Sequence, residues 1–280
     1  MNRSMINASV SMGQLQRKID TIGHNLANSN TNGYKRRETN FQDLLVQQFD
    51  NQRREAEETG RRTPNGIRTG VGARLSETEL VLEQGGIKTT DRDLDLALAK
   101  ENHFFEISSV DNNGQVTTRY TRDGAFYVSP SAGNPNVLDL VTANGDRVLG
   151  TNGPIQIPAG FEKINIDESG QIMIDMPTGP QQNAGQIAVS EVIRPQLLVS
   201  AGDNQFALPN LQELGIAEQD VVAPADPQQV GVKQRALEMS NVDMGQEMTE
   251  LMTSQRQYQF NAKSISISDQ MMQLVNGLRT

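Results

Sequence analysis

The sequence predicts an α+β protein in which terminal coiled-coil helices flank a central all-β domain of meander hairpins. Three observations predict this. Near the start, Met5, Ala8, Met12, Leu15, Ile19, Ile22 and Leu26 are spaced alternately by three and four, the a/d pattern of a helical seam. Near the end, Leu237, Met244, Leu251, Tyr258, Ile265 and Met272 recur every seventh residue, with Met248, Ala262 and Val275 widening the stripe. Between them, short apolar runs are punctuated by Asn-Gly, Asp-Gly and Ser-Gly pairs. Neither stripe has another helix beside it in sequence. The two termini are therefore expected to pair as one discontinuous helical domain, with further copies of the chain covering what remains apolar.

Taken in order, the first helix is expected over residues 3–30, roughly 40 Å at about 1.5 Å per residue. It stops at Asn28, Asn30, Asn32 and Gly33, residues that tolerate left-handed backbone. Residues 38–58 place Phe41, Leu44, Leu45 and Phe49 on one face, which predicts a second, shorter helix. The stretch TGRRTPNGIRTGVG at 59–72 reads as an extended linker. Strands are expected from Leu80 onward, among them residues 94–98, 104–108, 116–121, 126–128, 138–142, 147–149, 155–157, 163–166 and 172–175, then two or three more over 187–208. Turns fall at Asn113-Gly114, Asp123-Gly124, Asn144-Gly145 and Ser169-Gly170. The β-pattern breaks at Val221–Pro227, and the last helix is expected after Val232. The organisation is thus a helical segment at 1–58, a linker at 59–74, a β-domain at 75–223 and a helical segment at 224–280.

Composition narrows the function classes. The 280 residues are 36% hydrophobic and 4% aromatic, with no Trp, so a large aromatic core is not expected. Net charge is −9 but uneven: residues 1–74 carry +5 and the rest −14. An acidic chain argues against nucleic acid as the main partner. There is no Cys, which excludes disulfides, thiolate metal sites and Cys nucleophiles. The opening MNRSMINASVSMGQ has no apolar h-region, so no Sec-type signal peptide is expected, and no apolar run approaches a membrane span.

Catalysis finds almost no support. His24 and His103 are isolated in sequence. Asp91-Arg92-Asp93-Leu94-Asp95 lacks the Gly turn and distant Glu of a calcium loop, and reads as the outward face of a strand. Gly70-Val71-Gly72 is too short for a nucleotide fingerprint. The basic groups Lys35-Arg36-Arg37, Arg53-Arg54 and Arg61-Arg62 are partly neutralised by Glu55, Glu57 and Glu58 and have no aromatic ladder for base stacking. No enzyme, cofactor, metal, nucleic acid or small-molecule substrate is expected. The stripes, by contrast, point to association. Unbranched Met adapts to several packing partners, and polar Ser254, Gln255, Asn261 and Ser268 near the seam weaken an isolated helix pair. These helices are expected to be partly disordered alone and ordered in company.

The segment Asn25-Leu26-Ala27-Asn28-Ser29-Asn30-Thr31-Asn32-Gly33-Tyr34-Lys35 closely resembles the NxANxxTxGYK signature of the bacterial flagellar rod and hook proteins. Ser240-Asn241-Val242-Asp243-Met244, continuing through Glu247–Met252 to Gln255, Arg256, Gln257 and Tyr258, resembles the same family's C-terminal signature. Asn261-Ala262-Lys263 follows as that family has it. Phe104-Phe105, the 120–126 stretch YTRDGAF, Leu140–Gly145 and Val148-Leu149-Gly150 are similar to its β-domain. Two positions depart from the pattern. Asn32 stands where the family often has Pro, and Glu101-Asn102-His103 replaces a glycine-rich lead into Phe104.

The resemblance covers nearly the whole chain and implies a subunit of the flagellar basal-body rod. It implies a homo-oligomer in a helical tube whose terminal helices form the inner wall, other rod and hook proteins as neighbours, and export through the flagellar type III apparatus. The length and the segment Asn65–Gly72 are closer to rod than to hook proteins. Met5, Met12, Leu15, Ile19, Ile22 and Leu26 are then expected to pack against Met244, Met248, Leu251, Tyr258, Ile265 and Met272. A different class remains open on residues alone: a secreted or surface β-domain that binds a ligand and is oligomerised by its helices.

Overall fold

The computed structural model describes residues 3–43, 47–49, 67–69, 73–110, 114–131, 133–177, 180–226 and 228–277. The chain divides into two compact units. One comprises Met1–Leu26, Arg37–Glu79 and Met244–Thr280; the other comprises Ala27–Arg36 and Leu80–Asp243.

The first unit holds the long helices, Arg3–Ala27 and Met244–Gly277. Its remaining described segments are strands. Arg37–Asp43 pairs with Ala73–Leu80, and Gln47–Phe49 runs antiparallel to Ile67–Thr69 with Gln48 opposite Arg68. The helix expected over 38–58 is thus replaced, over 38–43 and 47–49, by strand. Residues 67–69 and 73–74 of the expected linker are strand as well. The physical reason is tertiary: backbone partners 18 or more residues away, as Phe49 opposite Ile67, satisfy the N–H and C=O groups, and local apolar spacing cannot register them. Leu44, Leu45, Asn65 and Gly66 lie outside the described residues, as do Arg53, Arg54, Arg61 and Arg62.

The second unit is the β-domain. Its main sheet runs Gln156–Pro158, Asn134–Val141, Arg147–Gly150, His103–Val110, Val116–Thr121, Gln205–Ala207 and Val199–Gly202. Val189–Val192 pairs with His103–Val110 and with Val222–Pro224. A separate three-stranded meander holds Lys163–Ile166, Gln171–Asp175 and Gln182–Gln186. Three of the expected turns close hairpins on glycines with positive φ: Gly114 at 75°, Gly145 at 89° and Gly170 at 80°. The fourth does not. Gly124 is fully enclosed because a Cβ there would stand 1.7 Å from the Leu96 carbonyl oxygen, so its role is close backbone approach.

Both faces of the main sheet are covered. Phe104 and Phe105 are adjacent, so their side chains point to opposite faces, and both are fully buried. Phe105 packs edge-on to Phe126 at 5.1 Å within the larger core of Leu96, Leu98, Ile107, Leu140, Ile157 and Ile172. Phe104 packs edge-on to Phe206 at 5.8 Å in a smaller core with Tyr120, Val192, Val221 and Val222. Burial on two sides also corrects the reading of 91–95 as an outward strand face. Asp93 and Leu94 form a turn, and Asp95 is buried with Arg92 3.1 Å away.

The chain after Val232 continues as strand. Val232–Gln234 pairs with Leu96–Leu98, and Ala236–Glu238 pairs with Ile87–Thr89, with Arg235 at φ 57° bending the chain between them. Leu237 therefore sits in a β-ladder and not on the helical stripe, because its backbone completes a sheet edge. The C-terminal helix begins at Met244. No helix among the described residues is long and apolar enough to cross a membrane.

Candidate functional site: a two-faced helix and a buried ion cluster

Within the first unit the two helices run antiparallel. Asn25 Nδ2 lies 3.1 Å from Glu247 Oε1, and Lys18 Nζ lies 3.3 Å from Glu250. Ser11 and Gln14 face Gln257 and Asn261 across a groove that Leu15, Phe41 and Phe260 also line. On the N-terminal helix Ala8, Leu15 and Ile22 are buried, while Met5, Met12, Ile19 and Leu26 are half-buried. On the C-terminal helix the positions turned inward are Glu247, Leu251, Ser254, Tyr258, Asn261, Ile265 and Ser268. Their spacing alternates four and three, so this is a true seam.

Of the expected interface residues of this helix, Leu251, Tyr258 and Ile265 are thus half-buried and Met244, Met248 and Met272 are not. Those three methionines are exposed. The alternate seam positions are polar instead: Glu247, Ser254 and Ser268 are buried, and Asn261 is half-buried. A repeat of these four residues at seven was readable in the sequence, but polar side chains carry no weight in a hydrophobic pattern.

The opposite side of the same helix carries large exposed apolar residues, interleaved with the exposed Arg256, Gln259 and Lys263. Met252 is 52% exposed, Phe260 72%, Met271 57% and Leu274 70%, with Ile267 and Val275 beside them. At 100° per residue Met252, Phe260, Ile267, Met271 and Leu274 fan over the half-cylinder facing away from the seam, with Val275 on its flank. A group of large exposed apolar side chains marks an interaction surface.

The signature residues have specific work. Asn25, 1% exposed, donates to the Arg37 carbonyl at 2.9 Å and accepts from the Arg37 N–H at 3.0 Å, beside its contact to Glu247. Asn28 and Thr31 form the turn after the helix, Thr31 N–H donating to Asn28 O at 3.1 Å. Gly33 has φ 65°, donates to Glu238 O at 2.8 Å, and a Cβ there would stand 2.5 Å from the Arg122 backbone. Only glycine fits. Tyr34 O accepts from Asn241 N–H, and the Asn241 side chain accepts from Arg36 N–H at 2.7 Å while donating to Val81 O and Glu83 O at 3.0 Å each. Ser240 Oγ accepts from Val242 N–H at 3.3 Å. Asp243 directly precedes the helix, where a short acidic residue favours an N-terminus. Ala27, Gln255 and Arg256 are exposed.

Inside the β-domain, Lys35, Arg122 and Glu238 form a buried ion cluster, each 2% exposed or less. Lys35 Nζ lies 2.7 Å from Glu238 Oε1 and also donates to Leu82 O and Glu83 O. Arg122 Nε lies 2.5 Å from Glu238 Oε2, and its remaining nitrogens donate to His103 O and Leu98 O. Gly85 N–H completes the carboxylate shell at 2.9 Å. Burial, then mutual repulsion, depresses the Lys35 ammonium below its ordinary value; burial does the same to Arg122. Sequence reading assigned Lys35 to the signature and Arg122 to the β-domain, but not Glu238 as the residue that joins them. His103, isolated in sequence, is buried with Nδ1 3.2 Å from Val230 O.

A β-domain closed by residues from both ends of the chain, carrying a terminal helix pair with an uncovered apolar side, defines a structural subunit of an assembly. Comparison with known proteins makes this specific. Family profiles match residues 7–35 (flagella basal body rod protein), 100–174 (flagellar hook protein FlgE/F/G D1 domain) and 233–278 (flagellar basal body rod FlgEFG protein C-terminal). The flagellar hook-basal body complex protein FlhP of Bacillus subtilis is 45% identical over 285 aligned positions, covering all of both chains. The flagellar basal-body rod protein FlgG of Borreliella burgdorferi is 31% identical over 282, covering all of this chain and 99% of its own. FlgG of Caulobacter vibrioides is 32% identical over 279, covering 99% of this chain and all of its own. The chain belongs to the flagellar basal-body rod protein family and is a structural subunit of the rod.

Two predictions come from the cluster. Glu238→Gln leaves two buried cations against a neutral amide and should cost about 3–5 kcal/mol in chemical denaturation. Lys35→Met, which leaves a neutral Arg122–Glu238 pair, should cost less. Burial holds the His103 imidazole below its ordinary 6.5. The unfolded chain then binds more protons than the folded one just below pH 6.5, so stability should fall as pH drops from 6.5 toward the folded value. In His103→Gln that segment of the pH–stability curve should be flat.

Proposed function

We propose that the subunit polymerises with copies of itself into a helical tube through its terminal helices, adjoins other rod and hook proteins, and transmits torque along the shaft. The observation that carries this is the set of large exposed apolar side chains on the outer half of the C-terminal helix. Met252, Phe260, Ile267, Met271 and Leu274 face solvent in the single chain, and each large side chain that a neighbour covers contributes about 1.5–3 kcal/mol. The expected interface residues divide between two tasks. Leu15, Ile22, Leu251, Tyr258 and Ile265, flanked by Met5, Met12, Ile19 and Leu26, hold the helix pair. Met248 joins the outer surface that meets neighbouring copies, Met244 flanks the seam, and Met272 continues the seam line beyond Ser268, where it is open to a neighbour.

The polar seam supports a further part of the reading. Glu247, Ser254, Asn261 and Ser268 add little apolar area to the pair, so full ordering of the helices is deferred until neighbours arrive. A chain with loosely held ends suits passage through the flagellar type III apparatus. The role is structural, with no substrate, cofactor or nucleic acid.

Replacing Met252 and Phe260 together with Asp should leave the melting of the isolated chain within about 0.5 kcal/mol of the parent, as for other exposed positions. Incorporation into basal bodies, read by fractionation and by swimming, should be lost. Normal incorporation of the double variant would overturn the assembly reading.

A further inference from the structure

The β-domain carries a polar pocket of about 540 Å³ that the assembly of helices does not use. Its floor is the sheet face where Glu106 and Tyr120 are cross-strand partners, and residues 217–219 and 222–224 wall it. Tyr120 is 4% exposed, yet its hydroxyl, which lines the pocket, has no hydrogen-bond partner among the described residues. Ser190 Oγ donates to one oxygen of Glu106; the other oxygen, and the whole Glu218 carboxylate at the rim, are unpaired among the described residues. Burial, then the charges of Glu106 and Glu218, push the Tyr120 phenol well above its ordinary value, so both carboxylates act on that hydroxyl and it stays protonated. Thr118 adds a further hydroxyl.

We infer that this pocket binds a guanidinium group, that of an arginine side chain presented by another polypeptide chain. Two carboxylates and two hydroxyl oxygens supply acceptors for a planar five-donor fork. A lone metal ion would leave most of the volume empty, and among the described residues no group of three or more acidic or His side chains converges here. An ammonium would bring only three donors to these acceptors. Apolar walls from Val222, Pro224 and Ala217 fit the aliphatic stem of a side chain. The polypeptide source rests on the axial-subunit reading, in which other chains surround this domain.

The test uses the full-length, unassembled chain with ¹³C-labelled tyrosine, the Tyr120 signal being assigned by its loss in Tyr120→Phe. Acetylarginine amide should shift that signal saturably, and the neutral isostere acetylcitrulline amide should not. Glu218→Gln and Glu106→Gln should each weaken the response about tenfold, the size expected for one charge-assisted hydrogen bond. Equal responses to arginine and citrulline, or responses indifferent to both Glu variants, would overturn the assignment. Tighter binding of free arginine than of the blocked amide would identify a small-molecule ligand and overturn the polypeptide source. Since assembly is absent from the measurement, its outcome is independent of whether the helices polymerise.

Discussion

A carboxylate taken out of water needs compensating charge, and Glu238 receives it from two remote parts of the chain. Lys35 comes from the N-terminal signature, Arg122 from the middle of the β-domain, and Glu238 from the last strand before the C-terminal helix. None of the three can be buried at acceptable cost without the others. Closing the domain, placing residue 35 and placing residue 238 are therefore one event. Gly33 tightens the same knot by bringing its backbone against Arg122, where a single methyl would collide. Asn241 then ties Tyr34, Arg36, Val81 and Glu83 into one bundle of backbone bonds. The consequence for function is positional. Where the N-terminal helix ends, the C-terminal helix begins, and Asn25 fixes that pairing through Arg37 and Glu247.

The helices themselves are built for company rather than for solitude. A seam of Leu251, Tyr258 and Ile265 interrupted by Glu247, Ser254, Asn261 and Ser268 holds the pair in register without making it strongly self-sufficient. On the other side Met, Phe, Ile and Leu wait for cover. On the proposed assembly, neighbouring copies would offset the conformational entropy of ordering some thirty residues.

Much of this was legible in the sequence, and the failures have physical causes. Hairpins closed by Asn-Gly and Ser-Gly turns were readable because the turn chemistry is local, and the strand expected at 163–166 is the strand observed. The N-terminal helix was readable because its seam is apolar throughout. The segment over 38–58 misled because its apolar spacing suits a helix while its backbone partners lie far along the chain. Leu237 fitted a seven-residue count by coincidence, and the sheet edge claimed it. Half of the C-terminal seam is polar, so a hydrophobic search chose Met244, Met248 and Met272, which are exposed, over Glu247, Ser254 and Ser268, which are buried. The ion cluster was hidden for a different reason. Residues 35, 122 and 238 are each unremarkable as charges, and only the fold reveals that one carboxylate serves two cations.

The chain has no Cys, so single cysteines at Met252, Phe260, Ile267 and Met271 can be labelled without background. Maleimide reactivity compared between the free chain and isolated basal bodies tests the central claim directly. The account predicts fast labelling at all four positions in the free chain and strong protection in the rod, with a control cysteine at exposed Thr117 of the β-domain far less changed. Equal reactivity of the four helix positions in both states would contradict it.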